Sequence, residues 1–140
     1  MAGRLRQGKI RMSVLSQISR ALVAEDNFVL AVELQNELSD LGCPESVIAS
    51  RVESAILALK VGVQFAILDV ELAGEPCTEL AERLVTFGVP FIYFSGYVRE
   101  DFPELPSAPW VNKPASAGEI AAAISAAVQQ SPLSRMTPSH

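Results

Sequence analysis

The sequence predicts a doubly wound α/β domain, in which a five-stranded parallel sheet is covered by helices on both faces. Short apolar runs alternate along the chain with segments whose apolar residues recur at helical spacing. One run, Phe65–Leu68, is apolar throughout, as in a strand that is buried on both faces. Parallel strands need crossover connections, and these are right-handed, so the intervening helices are expected to cover the sheet.

The first half of the chain predicts two strand–helix units. In each, a short strand-like run is followed by apolar residues at helical spacing, until a glycine ends the pattern. The predicted strands are Arg20–Ala24 and Ser46–Arg51, and the helices carry the stripes Leu30, Leu34, Leu38, Leu41 before Gly42 and Val52, Ile56, Leu59 before Gly62.

The second half predicts three further strands. Phe65–Leu68 stops at Asp69, and after a turn at Glu71–Gly74 we expect a helix with Pro76 in its first position. The three prolines of Asp101–Pro109 predict a short or irregular fourth helix. The third helix carries the apolar stripe Cys77, Leu80, Leu84 and Phe87 and ends before Gly88. The last two predicted strands are Val89–Phe94 and Trp110–Asn112. A capping box at Ser116–Glu119 begins the last helix, whose apolar stripe is Ile120, Ala123, Ile124 and Ala127.

Length and charge fit one domain with a basic head. The 140 residues have room for a single core, and 49% hydrophobic with 19% charged residues is a globular composition. Five of the eleven basic residues lie in the first 20 positions, which hold no acidic residue, so residues 21–140 carry a charge of −10. We predict a basic extension over 1–19, a domain over 20–130 and a loose tail over 131–140. Direct nucleic-acid binding is disfavoured because so acidic a body repels phosphate.

Several other classes of protein are disfavoured. No apolar run is long enough to span a membrane, and the basic start lacks the features of a signal peptide, so we expect a cytoplasmic protein without membrane insertion. Cys43 and Cys77 lie 34 positions apart, and the single histidine is His140. A zinc site and a disulfide framework are therefore not expected, and we predict that both cysteines are small buried hydrophobic residues.

Polar residues of particular kinds follow four of the five predicted strands. Glu25 and Asp26 follow the first strand, Asp69 the third, Ser95 the fourth and Lys113 the fifth. In a sheet of order 2-1-3-4-5 the carboxylates of the first and third strands converge, and such a cluster is costly unless a cation neutralises it. Mg²⁺ prefers these oxygen ligands, and the lysine and hydroxyl suit a phosphoryl group. The set has the parts needed for phosphoryl transfer onto an aspartate.

Each of these features also has an ordinary structural explanation. The acidic pair suits a helix N-terminus, and Asp69 suits a turn. Ser95-Gly96 and Lys113-Pro114 are common in loops, and Trp110 is a typical core residue. The coincidence of four such residues at four strand ends favours a functional site.

From about Arg20 to Gln130 the sequence resembles the receiver domains of two-component response regulators, of the stand-alone type. The resemblance rests on the acidic pair, the Ile-Leu-Asp strand end, Ser95 followed by glycine, and Lys113-Pro114, in this order. It implies a flavodoxin-like strand order and phosphorylation of Asp69. It also implies that Asp26, Asp69 and the main-chain carbonyl of Glu71 bind Mg²⁺, with Glu25 acting through a water molecule. Lys113 and Ser95 would contact the phosphoryl group, and Trp110 would act as a switch residue. The Lys113–Pro114 peptide would be cis.

The resemblance implies a phosphorelay switch rather than an enzyme. Its partners would be a histidine kinase or histidine phosphotransfer protein and a downstream protein target, with a homodimer as a further possibility. Two other functions stay open: an adaptor that works without phosphorylation, and a small Mg²⁺-dependent aspartyl phosphatase with Glu71 as acid/base.

Three departures from the family pattern affect these expectations. Ser95 stands where threonine is commoner, and Tyr93–Tyr97 resembles the Phe-Ala-Thr-Gly-Tyr run of a subgroup of single-domain regulators, with Phe94 in place of alanine. The Pro-rich Asp101–Pro109 segment replaces a regular fourth helix, so the signalling surface is expected to be remodelled.

Overall fold

A computed structural model describes Leu15 and residues 17–130 and shows a central five-stranded parallel sheet. The strands of the described chain, in sequence order, are β1 (Arg20–Ala24), β2 (Glu45–Ala49), β3 (Phe65–Leu68), β4 (Glu71–Leu72), β5 (Glu75–Pro76), β6 (Phe91–Ser95) and β7 (Trp110–Asn112). The central sheet has the order β2-β1-β3-β6-β7, and β4 pairs with β5 in a separate hairpin. The predicted order is confirmed.

Helices cover both faces of the sheet. The four α-helices of the described residues are α1 (Phe28–Asp40), α2 (Val52–Val61), α3 (Thr78–Thr86) and α4 (Ala117–Gln129). Buried side chains of α2 and α3 form one core with one face of the sheet, whereas α1 and α4 form the second core with the other face. The doubly wound architecture is therefore confirmed.

The segment after β3 differs from the prediction. Pro76 does not begin a helix but lies in β5, and α3 begins two residues later, at Thr78. Ala73 and Gly74 join β4 to β5 with φ angles of 52° and 84°, and positive φ at both central residues is typical of a tight hairpin turn. Strands of two residues carry no periodicity that a sequence pattern can reveal, so the hairpin was predicted only as a turn.

Two strand boundaries also shift by one or two residues. The second strand ends at Ala49 and not at Arg51, which instead precedes α2 as its N-cap. The fourth strand of the central sheet begins at Phe91, after Pro90, and continues through Ser95. Ser95 is thus the last residue of β6, and its backbone carbonyl accepts a hydrogen bond from the Lys113 N–H at 2.8 Å.

The capping box and the irregular fourth connection are as predicted. Ser116 Oγ accepts a hydrogen bond from the Glu119 N–H, and the Glu119 side chain accepts one from the Ser116 N–H. Between β6 and β7 there is a single 3-10 turn, Arg99–Asp101, in place of a helix.

Part of the predicted basic extension packs into the core. Leu15 and Ile18 are buried against the face that α1 and α4 cover. The Gln64 side-chain oxygen accepts hydrogen bonds from the N–H groups of Ser19 and Arg20 and from the Ser19 hydroxyl. Val14, expected in the same stripe, and the tail 131–140 lie outside the described residues.

The cysteines and the helix lengths bear on two further expectations. Cys43 follows α1 and Cys77 precedes α3, and both are free and buried. No helix in the described part of the chain is long and apolar enough to cross a membrane.

Candidate functional site

Three carboxylates meet at the carboxyl end of the sheet. Glu25 and Asp26 follow β1, and Asp69 follows the neighbouring strand β3, whose last residue, Leu68, is in register with Ala24. One oxygen from each of the three side chains lies within 4.8 Å of the others. Glu25 and Asp69 are buried and Asp26 is exposed, so the cluster opens to solvent on the Asp26 side.

A single lysine bridges the two buried carboxylates. Lys113 follows β7, and its Nζ lies 2.8 Å from Glu25 Oε1 and 3.0 Å from Asp69 Oδ2. The same ammonium is 5.3 Å from the centre of the Phe94 ring. The Lys113–Pro114 peptide that follows is cis. One ammonium group therefore pairs with two of the three carboxylates.

Burial and nearby charges shift the pKa values of Glu25 and Lys113. Burial raises the pKa of the Glu25 carboxyl, and this effect exceeds the opposing effects of Lys113 and of the Asn27 N–H. Burial on its own would lower the pKa of the Lys113 ammonium, but the contacts with Glu25 and Asp69 outweigh it and raise that pKa. Lys113 is therefore a fixed positive charge at neutral pH.

Backbone N–H groups orient each carboxylate. The Asn27 N–H donates to Glu25 Oε2 at 2.9 Å, and the Ala73 N–H, at the hairpin turn, donates to Asp26 Oδ2 at 2.9 Å. The Glu71 N–H lies 3.4 Å from Asp69 Oδ1. Sequence reasoning missed Ala73, because its role depends on a hairpin that brings position 73 next to position 26.

The Ser95 hydroxyl lies at the end of β6, the strand that pairs with β3 on the side away from β1. Ser95 is fully buried, and its Oγ accepts a hydrogen bond from the Tyr97 N–H at 3.0 Å. The Tyr97 hydroxyl lies 3.5 Å from Glu71 Oε1. The structure thus connects the side chain of Glu71, the predicted acid/base of the phosphatase alternative, to the Tyr97 side chain.

Trp110 lies in an aromatic cluster beside the site. Its ring is 5.2 Å from the Tyr93 ring and 6.1 Å from the Phe102 ring, and its Nε1–H donates to the Tyr97 carbonyl at 3.1 Å. Asn112 Nδ2 donates to the same carbonyl at 2.9 Å. Asn112 was not singled out from the sequence, since an amide at the end of a strand carries no distinctive signal.

The donor set of the cluster fits a hard divalent cation. Its three ligand groups are carboxylates, which suit Mg²⁺, and within the described residues no cysteine or histidine joins them. The exposed position of Asp26 leaves one side of the cluster open, which suits an ion that keeps several water ligands.

Comparison with known proteins identifies the fold. No protein-family model matches the chain, and no curated protein matches it by sequence. Solved structures do match: the receiver domain of the PhyR response regulator from Erythrobacter litoralis has a TM-score of 0.72 and 24% identity over 81% of this chain and 92% of that one. SdrG from Sphingomonas melonis has a TM-score of 0.63 and 28% identity over 79% of this chain and 96% of that one.

A longer protein also matches over part of its length. The anti-anti-sigma factor PhyR from Bartonella quintana has a TM-score of 0.66 and 21% identity over 89% of this chain and 53% of that one. The chain thus spans about half of that protein. The structural neighbours of this chain are receiver domains of response regulators, and its own fold is of the same kind.

Proposed function

We propose that this chain, with its receiver fold, is a signalling switch that accepts a phosphoryl group on Asp69. The donor would be a histidine kinase or a histidine phosphotransfer protein, and the output would pass through contacts with a downstream protein or by onward phosphotransfer. The observation that carries the proposal is the position of Lys113 Nζ, which lies within 3.0 Å of Asp69 Oδ2 in a cluster of three carboxylates.

Asp69 has the environment that an acceptor carboxylate needs. An Asp69 oxygen would attack the phosphorus atom and form an acyl phosphate, while the bond from phosphorus to the donor breaks and the donor keeps the electron pair. Asp69 is about one-tenth exposed and lies beside the exposed Asp26, so an incoming phosphoryl group would approach it from the open side of the cluster. Positioning and charge neutralisation then provide most of the catalysis.

Mg²⁺, when bound, would neutralise part of the negative charge that accumulates on the phosphoryl oxygens. Asp26, Asp69 and the main-chain carbonyl of Glu71 would hold it, with Glu25 acting through a water molecule. The Ala73 N–H fixes the orientation of Asp26, and the Asn27 N–H fixes that of Glu25, so two of these carboxylates are held by backbone contacts before a metal ion arrives.

Lys113 and Ser95 would contact the phosphoryl group after transfer. Lys113 is already paired with Asp69, so it would shift its ion pair from the carboxylate to a phosphoryl oxygen. The Ser95 hydroxyl would donate a hydrogen bond to another phosphoryl oxygen, and its Oγ would then give up the bond from the Tyr97 N–H. This exchange connects the chemistry at Asp69 to the segment after β6.

The class of the downstream target is a further part of the proposal. One solved neighbour is described as an anti-anti-sigma factor. A protein that regulates a sigma factor is therefore the first class of partner to test. The receiver-fold chain would bind it in one of its two phosphorylation states.

The decisive experiment is the mass of the intact protein after incubation with acetyl phosphate and Mg²⁺. We expect the wild type and the control variant Asp40→Asn, which changes an exposed carboxylate at the end of α1, to gain one phosphoryl group. Asp69→Asn should gain none, and chelation of Mg²⁺ should prevent the gain in the wild type. An equal gain by Asp69→Asn, or no gain by the wild type with this donor and with a histidine-phosphorylated donor protein, would contradict the proposal.

The same protein samples test the two other functions. Equal capture of a partner by the wild type and Asp69→Asn, without any phosphorylation, would indicate an adaptor. Repeated turnover of a phosphate ester would indicate a phosphatase and would be tested with Glu71→Gln.

A further inference from the structure

A short irregular segment after the site, residues 97–105, lies over the aromatic cluster; we call it the strap. It replaces the helix that a regular α/β alternation would place between β6 and β7. Pro103, inside it, and Pro106, just after it, have no backbone N–H to donate. The strap has three backbone hydrogen bonds of its own, from the N–H groups of residues 101, 102 and 105 to the carbonyls of residues 98, 99 and 102, and side chains add further contacts to its carbonyls.

One side chain, Arg99, supplies two of the four side-chain hydrogen bonds to carbonyls of the strap. Its guanidinium donates hydrogen bonds to the carbonyl of Phe102 and, at 3.0 Å, to the carbonyl of Leu105. The guanidinium carbon also lies 5.6 Å from the centre of the Trp110 ring. Arg99 thus ties two points of the strap to each other and to β7. The planar group with several donors is suited to this task, whereas a lysine is not.

The strap is connected to the phosphoryl-acceptor site through one residue, Tyr97. The Tyr97 N–H donates to Ser95 Oγ, and the Tyr97 carbonyl accepts from Trp110 Nε1 and Asn112 Nδ2. The main-chain groups of Tyr97 therefore contact the Ser95 hydroxyl on one side and β7 on the other. Any movement of the Ser95 hydroxyl changes the bonding of the first residue of the strap.

We propose that Arg99 is a positioning residue that holds the strap closed over Trp110 in the unphosphorylated protein, and that opening of the strap is the conformational output of the switch. The second half of this statement rests on the proposed function. When the Ser95 hydroxyl turns towards a phosphoryl group, Tyr97 loses one of its anchors, and the two carbonyl contacts of Arg99 become a larger share of the restraints that remain. A change that weakens Arg99 and phosphorylation of Asp69 then favour the same open conformation.

The test uses the fluorescence of Trp110, which is the only tryptophan of the 140 residues. Arg99→Met keeps the length of the side chain but removes its charge and donors. In the absence of any phosphodonor, we expect Arg99→Met to shift Trp110 emission to longer wavelength and to increase its quenching by acrylamide. The open population should rise roughly tenfold, since a hydrogen bond to a charged group is worth about one decade in an equilibrium constant.

Two variants control for other effects of the substitution. Arg83→Met removes a surface arginine that pairs with Glu79 on α3, and it should leave Trp110 emission unchanged. Arg99→Lys keeps the charge near the ring but not the two-point contact, so its quenching should fall between those of the wild type and Arg99→Met. An Arg99→Met spectrum identical to that of the wild type would overturn the proposal, as would an equal change in Arg83→Met.

Different measurements test the Arg99 contacts and the phosphorylation of Asp69. The Arg99 measurement is made on unphosphorylated protein, whereas the mass of the intact protein reports phosphorylation of Asp69. If both proposals are correct, acetyl phosphate should move the Trp110 emission of the wild type towards that of Arg99→Met. It should also phosphorylate Arg99→Met faster than the wild type. If the wild type is phosphorylated without a change in emission, opening of the strap is not the output.

Discussion

We expect the three clustered carboxylates to repel one another and to lower the stability of the protein when no metal ion is bound. Asp26→Asn tests this most directly, because asparagine keeps an oxygen that can accept the Ala73 N–H while the charge is removed. The carboxylate oxygens lie within 4.8 Å of one another, and two unit charges at this distance in water repel by about 0.9 kcal/mol. Asp26 has two such neighbours and Lys113 offsets part of the repulsion, so we expect a net gain of about 1 kcal/mol.

The assay is thermal unfolding at pH 8, first with a chelator and then with increasing Mg²⁺. For a domain of this size, the expected gain corresponds to a rise in Tm of about 3–5 °C in the chelator. The order should reverse with metal: a ligand at 100 times its Kd adds about 2.7 kcal/mol, and the wild type should bind Mg²⁺ more tightly than the variant. The gain in the chelator should also shrink at high salt, because Asp26 is exposed.

Glu82→Gln is the matched control, since it removes an exposed carboxylate from α3, outside the cluster. It should change Tm little and should not alter the response to Mg²⁺. The reasoning would be refuted if Asp26→Asn were no more stable than the wild type in the chelator, or if Mg²⁺ stabilised both proteins equally.

Four further predictions concern other polar and charged groups of the chain. Lys113→Met should lower the free energy of unfolding by about 3 kcal/mol, because it leaves the buried carboxylate of Glu25 unpaired; urea titration measures this, and an unchanged midpoint would contradict it. The raised pKa of Lys113 means that its contribution is present below the unfolded value of 10.5 and is lost as pH rises through the higher folded value, so the difference between wild type and Lys113→Met should shrink in that range. The raised pKa of Glu25 has the opposite consequence: wild-type stability should fall as pH rises from 4.5 towards the folded value, and Glu25→Gln should flatten the pH profile of unfolding there. Ser116→Ala removes the capping bond to the Glu119 N–H and should lower Tm by about 2–5 °C, whereas an unchanged Tm would show that the capping box adds little.

The sequence predicted those features that depend on residue type at a strand end. Phe65–Leu68 is apolar throughout because β3 lies in the middle of the sheet with a helical layer on each face, and the polar residue that stops it, Asp69, falls at the edge where a site forms. The same reasoning located Lys113 after β7. These positions follow from periodicity and from the rule that sites lie at the carboxyl ends of parallel strands.

Features that depend on local backbone geometry could not be predicted in this way. Pro76 suits both a helix start and an edge strand, and the hairpin contacts that decide between them are made by a turn with positive φ at Ala73. The three links of the Tyr97 main chain are also invisible in the sequence, since they use an N–H and a carbonyl that every residue except proline possesses. Sequence patterns identify which side chains can do chemistry but not which peptide groups orient them.

The hairpin turn has a consequence for how the metal affinity of such a site can change. Ala73 holds Asp26 through its main-chain N–H, so the affinity for the proposed Mg²⁺ would depend on the backbone at a position whose side chain is not among the proposed ligands. Glycine at position 73 would accept the positive φ more easily and keep the N–H, whereas a β-branched residue would resist that φ and move the N–H away from Asp26. Substitutions at this one turn position should therefore change the proposed metal binding in graded steps, while the proposed ligands and the proposed acceptor aspartate stay intact.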